Sequence, residues 1–269
     1  MISALLLLFF VSAHTLYGAE TEGITVKLDP YILGELYGVP ITATLVTVWV
    51  TMVLLIALAY VAGRRLLLIP SKLQSIFELL IGGAYDYVVE VLENKERAQK
   101  YFPIIITIFI FILAMNWVGL LPGVASIGFT EGEGDGAHFI PLLYPPAADL
   151  NITIAFALIA FVTIELAGVL AIGVWKYAGK FINFRSPLGF AIGIIELMSE
   201  LARLVSFSFR LFGNIFAGKT LLLVVMFFAT PYLLPVPLIA YEFFVGFIQA
   251  FIFAILTLYF IKLATEEPH

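Results

Sequence analysis

The side chains that could do chemistry are concentrated in one tract, Glu196 to Thr220, reading ELMSELARLVSFSFRLFGNIFAGKT. It lies inside the longest apolar run of the chain, yet it carries two carboxylates, two guanidiniums and a lysine. Ionised groups inside a bilayer are costly and face a partner or a water-filled cavity. The chemistry open to them is charge pairing and proton transfer against another surface in the membrane.

Such groups need an element to carry them. No proline falls between Pro187 and Pro231, which predicts one helix over 187–229, about 40 residues and roughly 60 Å long. A hydrocarbon core is only about 30 Å thick, so the helix must tilt steeply or break, with Gly213 the candidate break. At about 100° per residue, Glu196, Glu200, Arg203, Arg210 and Asn214 fall within a wedge of about 80°. Ser199 and Ser206 flank it. Glu200 and Arg203 can pair one turn apart; Glu196 and Arg203 are a looser match. Arg210 has Ser206, Phe207, Gly213 and Asn214 as helical neighbours and no carboxylate one turn away. It cannot shed its proton, so its counter-charge must come from elsewhere. The plainer readings are inter-helix glue or a water-facing surface. Five polar residues on one wedge exceed what glue needs, and the surroundings are too apolar for water.

Composition sets the frame. Of 269 residues 62% are hydrophobic and mean hydropathy is +1.08, which a soluble domain would not need; this is a polytopic membrane protein. Net charge is −5 with no basic tail, which argues against nucleic acid as a partner and leaves membrane lipid as the obligatory one. No cysteine is present and the three histidines stand apart at 14, 138 and 269, so no metal or other cofactor site is expected. Ala217–Thr220 ends in Gly-Lys-Thr, but within an apolar helical tract instead of after a strand, so it does not read as a phosphate loop.

Read in order, residues 1–40 are an N-terminal region. The apolar run 2–12 is either a cleaved signal peptide or an arm that stays on the protein, and 20–40 is a polar extramembrane segment. Residues 41–269 read as a single membrane domain. Spans are expected at about 41–62, 102–122 and 150–175, the last opened by Asp149 as an N-cap. Residues 71–93 have the period of an amphipathic helix on the membrane surface. Asn94–Lys100 is expected as a charged turn, 123–148 as an acidic loop, and Lys176, Lys180 and Arg185 as a short basic loop. The long helix then breaks at Pro231–Pro237, and a last helix covers about 238–264. The basic loops lie on one side, which the positive-inside tendency makes cytoplasmic; the C-terminus is cytoplasmic too if 187–229 crosses once.

The order Phe207–Ser208–Phe209–Arg210–Leu211–Phe212–Gly213–Asn214–Ile215–Phe216–Ala217–Gly218, then a proline-marked turn, then Phe247–Ile248–Gln249–Ala250–Phe251–Ile252–Phe253, is highly specific. It resembles the membrane stator subunit, subunit a, of F-type rotary ATP synthases. Weaker similarity extends through PSKLQSIFELLIG, Asn116–Trp117, Leu120–Pro122 and AADLNIT, over most of 40–267. With this resemblance the expected fold is all-α: one upright transmembrane helix, an amphipathic surface helix and four tilted membrane helices, two of them long and C-terminal. The implied partners are a ring of c subunits, the peripheral-stalk b subunits and the remaining ATP synthase subunits. The implied location is a bacterial plasma (inner) membrane. The subunit is not an enzyme by itself.

The resemblance assigns Arg210 the role of a fixed cation that takes protons from ring carboxylates, with two offset half-channels serving it. Glu196 and Glu200 suit the cytoplasmic half-channel. Asn214 lies one turn past Arg210. On the last helix Gln249 would orient Arg210, and Glu242, seven residues earlier on the same face, suits the outer half-channel. Lys219 departs from the family, which usually has Glu or His there; it is expected to pair with Glu242, tuning the channel or serving structure alone. Arg203 and Ser206 are supporting. Glu165 is either a cytoplasmic channel wall or a water-exposed helix end, the second reading being preferred. Asp149, Asn151, Asn116 and Trp117 are expected to cap and pack. The competing readings are a stand-alone ion channel or transporter, which should show two related halves that are not visible, and a structural scaffold, which would tolerate loss of Arg210.

Overall fold

A computed structural model describes residues 29–64, 72–121, 123–131, 138–181, 187–228 and 235–266. The apolar run 2–12, the polar residues 20–28, Arg185, Pro231 and the tail 267–269 lie outside these. The described chain is mostly helical: α1 Ala43–Arg64, α2 Lys72–Leu92, α3 Lys95–Leu120, α4 Leu150–Ile172, α5 Val174–Phe181, α6 Pro187–Phe228 and α7 Pro235–Thr265. Helices α1, α3, α4 and α7 are long and apolar enough to cross a membrane. Helix α6 is longer still, 42 residues, and carries the charges. The all-α polytopic class is as expected.

The departures from expectation are local. Asn94–Lys100 is not a turn: its Oδ1 accepts the N–H groups of Glu96 (2.9 Å) and Arg97 (3.1 Å), so Asn94 caps α3, which starts at Lys95. Two short antiparallel hairpins interrupt the helices, Ile32–Leu36 (β1) with Val39–Thr42 (β2), and Gly128–Glu131 (β3) with His138–Pro141 (β4). In the first, Tyr37 and Gly38 both have positive φ (52° and 80°), the backbone that a two-residue hairpin turn demands. The basic segment after α4 is partly helical. Gly173, at φ 91°, ends α4 in the left-handed cap position and α5 starts one residue later. Gly213 does not break α6. Pro235 and Pro237 lie in the first turn of α7, where a missing N–H costs nothing.

Contacts group the described residues into two compact units, those in 29–56 with those in 111–153 and 211–249, and those in 57–110 with those in 154–210 and 250–266. Helices α1, α3, α4, α6 and α7 contribute a segment to each.

In the first unit the loop before α4 is tied to α1. Thr44 Oγ1 donates to Asp149 Oδ2 (2.7 Å), while Asp149 Oδ1 accepts the Asn151 N–H (2.9 Å), as expected of an N-cap. The Tyr144 N–H donates to Thr47 Oγ1 (2.9 Å). Asn116 Nδ2 donates to the Gly246 carbonyl (3.0 Å) and Trp117 Nε1 to that of Phe243 (3.2 Å), so α3 docks on the α7 backbone as packing residues should.

In the second unit the buried Phe207 ring packs on Phe253 (4.8 Å between centroids) and Phe260 (5.8 Å). Helix α5 is held close because two facing positions lack side chains. A Cβ at Gly168 would overlap the Tyr177 ring, and one at Gly193 the Phe181 carbonyl. Lys262, near the end of α7, donates to Glu93 Oε1 (2.7 Å) in the joint between α2 and α3. That hydrogen bond, and the ammonium charge with it, holds the exposed Glu93 carboxyl below its usual range. A depressed carboxyl contributes stability above its ordinary pH range and loses it as the pH falls. Glu93→Gln should therefore lower the melting temperature of the purified protein slightly at neutral pH, by an amount that shrinks as the pH falls below the ordinary carboxyl range near about 4.

Candidate functional site

Helix α6 presents its stripe in three parts. At its N-terminal end, in the second unit, α5 supplies a cation to the two carboxylates. Lys180 Nζ lies 2.6 Å from Glu196 Oε1 and 3.8 Å from Glu200 Oε1, and Arg203 Nη1 lies 2.6 Å from Glu200 Oε2. Glu200 is buried, with 4% of its side chain exposed. Glu200 and Arg203 pair as their spacing predicts; Glu196 pairs with Lys180 and not with Arg203. The Arg203 guanidinium also stacks over Phe260, 3.8 Å from the ring centroid, which shields one face of the charge.

Glu165 departs from the expected water-exposed helix end. It sits well inside α4, and its Oε1 is buried with no hydrogen-bond partner among the described residues. The Tyr177 hydroxyl is likewise buried without one. Burial first, and then the charge of the nearby Glu165, push that hydroxyl above the usual phenol range, so Tyr177 stays neutral. Glu165 and Glu200 are close enough to feel each other's charge.

In the middle of the stripe, Arg210 is half-buried. Its Nη2 donates to Ser206 Oγ at 3.3 Å, so the expected neighbour one turn back is brought onto it.

Beyond it, in the first unit, stand Asn214, Lys219, Glu242 and Gln249. Glu242 and Gln249 are both buried on α7, 7% and 8% exposed, as their seven-residue spacing on one face implies. Glu242 faces the Gly218 backbone so closely that a Cβ there would stand 3.0 Å from its Oε1. A cavity of about 180 Å³ opens beside it, lined by Asn214, Ile215, Gly218, Tyr241 and Glu242 among others, room for several waters. The expected Lys219–Glu242 ion pair does not form. The Lys219 ammonium instead lies over the Tyr144 ring, 3.4 Å from its centroid. Its Nζ and Glu242 Oε1 are both buried without a hydrogen bond among the described residues.

Lys180, Tyr177 and Tyr144 escape sequence reading. The glycines at 168, 173 and 193 were the available hint for α5; nothing near Tyr144 marks it. Among the described residues no three histidines or carboxylates group as metal ligands.

Apolar spans and one long helix with a partly buried stripe of Glu and Arg define a polytopic membrane protein that carries charge on an apolar helix. Comparison places it further: residues 45–262 match the family "ATP synthase A chain", and the chain belongs to that family. It is 33% identical over 223 residues to "ATP synthase subunit a 1" of Pelobacter propionicus, covering 82% of this chain and 86% of that one. It is 33% identical over 232 residues to "ATP synthase subunit a" of Moorella thermoacetica, 86% and 94%. To the subunit a of Trichlorobacter lovleyi it is 35% identical over 224 residues, 82% and 86%.

Proposed function

We propose that this chain is the proton-translocating stator subunit of a bacterial ATP synthase membrane sector. It works beside a ring of c subunits, with peripheral-stalk b subunits and the remaining ATP synthase subunits as further partners. The observation that carries the reading is the stripe itself: one unbroken helix bearing Glu196, Glu200, Arg203, Arg210 and Asn214 on one face between apolar ones.

Each ring carboxyl is protonated while it faces lipid, because an ionised carboxylate there is costly. Beside the Arg210 guanidinium the ionised form is favoured and the proton leaves. The same fixed charge bars a direct proton path between the two sides. Glu196 and Glu200, with Lys180 between them and Glu165 near Glu200, form the cytoplasmic half-channel. Glu242, the cavity beside it, Asn214 and Lys219 form the outer one, and Gln249 orients Arg210. Membership of the family and the four candidate spans support this over a stand-alone channel or a scaffold.

The test is co-purification. The chain should come out of bacterial inner membranes with an oligomeric ring of small helical hairpins; isolation as a lone, conducting protein would overturn the reading. A cytoplasmic C-terminus follows from the single long helix. Ala264 is buried, whereas Glu266 is exposed, so Glu266→Cys should be labelled from the cytoplasmic side only.

A further inference from the structure

The structure assigns Tyr144 as a positioning residue of the outer proton path: its ring seats the Lys219 ammonium and keeps it from closing on Glu242. The inference rests on the reading of Glu242 as part of that path.

Three observations lead to it. Lys219 and Glu242 are opposite charges on adjacent elements, close enough to interact, yet they form no ion pair. The ammonium is held instead 3.4 Å from the Tyr144 ring centroid, a contact that gains strength where water is excluded. And Tyr144 is itself held. Its N–H donates to Thr47 Oγ1 (2.9 Å), its ring meets that of Tyr31 edge-on at 5.2 Å, and the loop's far end is fixed by Thr44 on Asp149. The ring is thus a fixed seat carried by α1 and the loop before α4.

The consequence is a separation of charge. A carboxylate clasped by an ammonium at contact distance would surrender its proton and be slow to take another. With Lys219 seated on Tyr144, Glu242 keeps Oε1 free of hydrogen bonds, next to a cavity that can hold water. It can then accept a proton from one side and pass it on. Lys219 contributes a nearby positive potential without blocking the acceptor. Among the described residues Glu242 acts on it from α7 and Tyr144 from the loop, and Tyr241 lines the cavity beside Glu242.

The test measures ATP-driven proton pumping by the whole complex in inverted membrane vesicles. Tyr144→Leu removes the ring and should slow pumping roughly tenfold, the size of a partly desolvated cation–π contact; Tyr144→Phe should restore it. In a Lys219→Gln background Tyr144→Leu should add nothing. If Tyr144→Leu fails to assemble, phenylalanines carrying increasing ring fluorines at position 144 serve instead, since they keep the shape and drain the negative face. Pumping should fall stepwise with fluorination when Lys219 is present and stay level when it is Gln. A level series with Lys219 present, or equal losses in both backgrounds, overturns the assignment. Glu242→Gln separates the two claims. If it leaves pumping intact, the outer-path reading itself fails. If it stops pumping while the fluorine series stays level, only the role of Tyr144 does.

Discussion

Arg210→Ala should abolish ATP-driven proton pumping while leaving the amount of assembled complex near that of the unaltered protein. An opposite charge within a few ångströms favours an ionised carboxylate by roughly 10- to 1,000-fold. Without the guanidinium, each acid arriving from the lipid phase would keep its proton and rotation would carry no net flux. The barrier between the two sides would go with it, so passive leak should rise as pumping falls. Arg210→Lys should restore little. Lysine offers a compact, strongly hydrated charge that gives up its proton when desolvated, whereas the guanidinium cannot. Assembly should persist because Arg210 is only half-buried, so its truncation removes little of the packed interior. Pumping by Arg210→Ala at a substantial fraction of the normal rate, measured in inverted vesicles, would refute the motor reading and favour the scaffold.

The second large effect is on stability. Glu200→Leu should cost about 3 kcal/mol, the lower end of what breaking a buried ion pair costs. Glu200 is the shared anion of Lys180 and Arg203. Lys180 would keep Glu196 at 2.6 Å, but Arg203 would lose its 2.6 Å carboxylate and keep only the Phe260 ring. What is lost is chiefly the compensation of a charge left in place, so removing that charge should repair most of the damage. Arg203→Leu in the same chain should recover stability that Glu200→Leu alone loses. Thermal melting of the purified complex decides: a double variant no more stable than the single one would show that the pair is not what holds this end of α6.

Much of this was legible in the residues. The six long helices, the unbroken run from Pro187, the pairing of Glu200 with Arg203 and the N-cap at Asp149 all depend on near neighbours in the chain. The hairpin at Tyr37–Gly38 was not foreseen, and the start of α3 at Lys95 was read wrongly, for a related reason. A two-residue turn of positive φ and a single Asn cap are small signals beside the apolar period of the spans. Glu165 was misjudged because burial depends on what packs against it, and α5, with Tyr177 on it, was taken for a loop.

By itself the sequence determined that this chain crosses a membrane and that one long helix carries fixed charges along a single face, because hydropathy and helical period are properties of consecutive residues. Glu200 with Arg203 aside, which partner each charge meets was decided only by tertiary structure. Lys180 reaches Glu196 from another helix, close approach at Gly168 and Gly193 brings that helix near, and Lys219 rests on Tyr144 instead of Glu242. Such choices turn on distances of an ångström or two between segments far apart in the chain, and side-chain spacing along one helix holds no record of them.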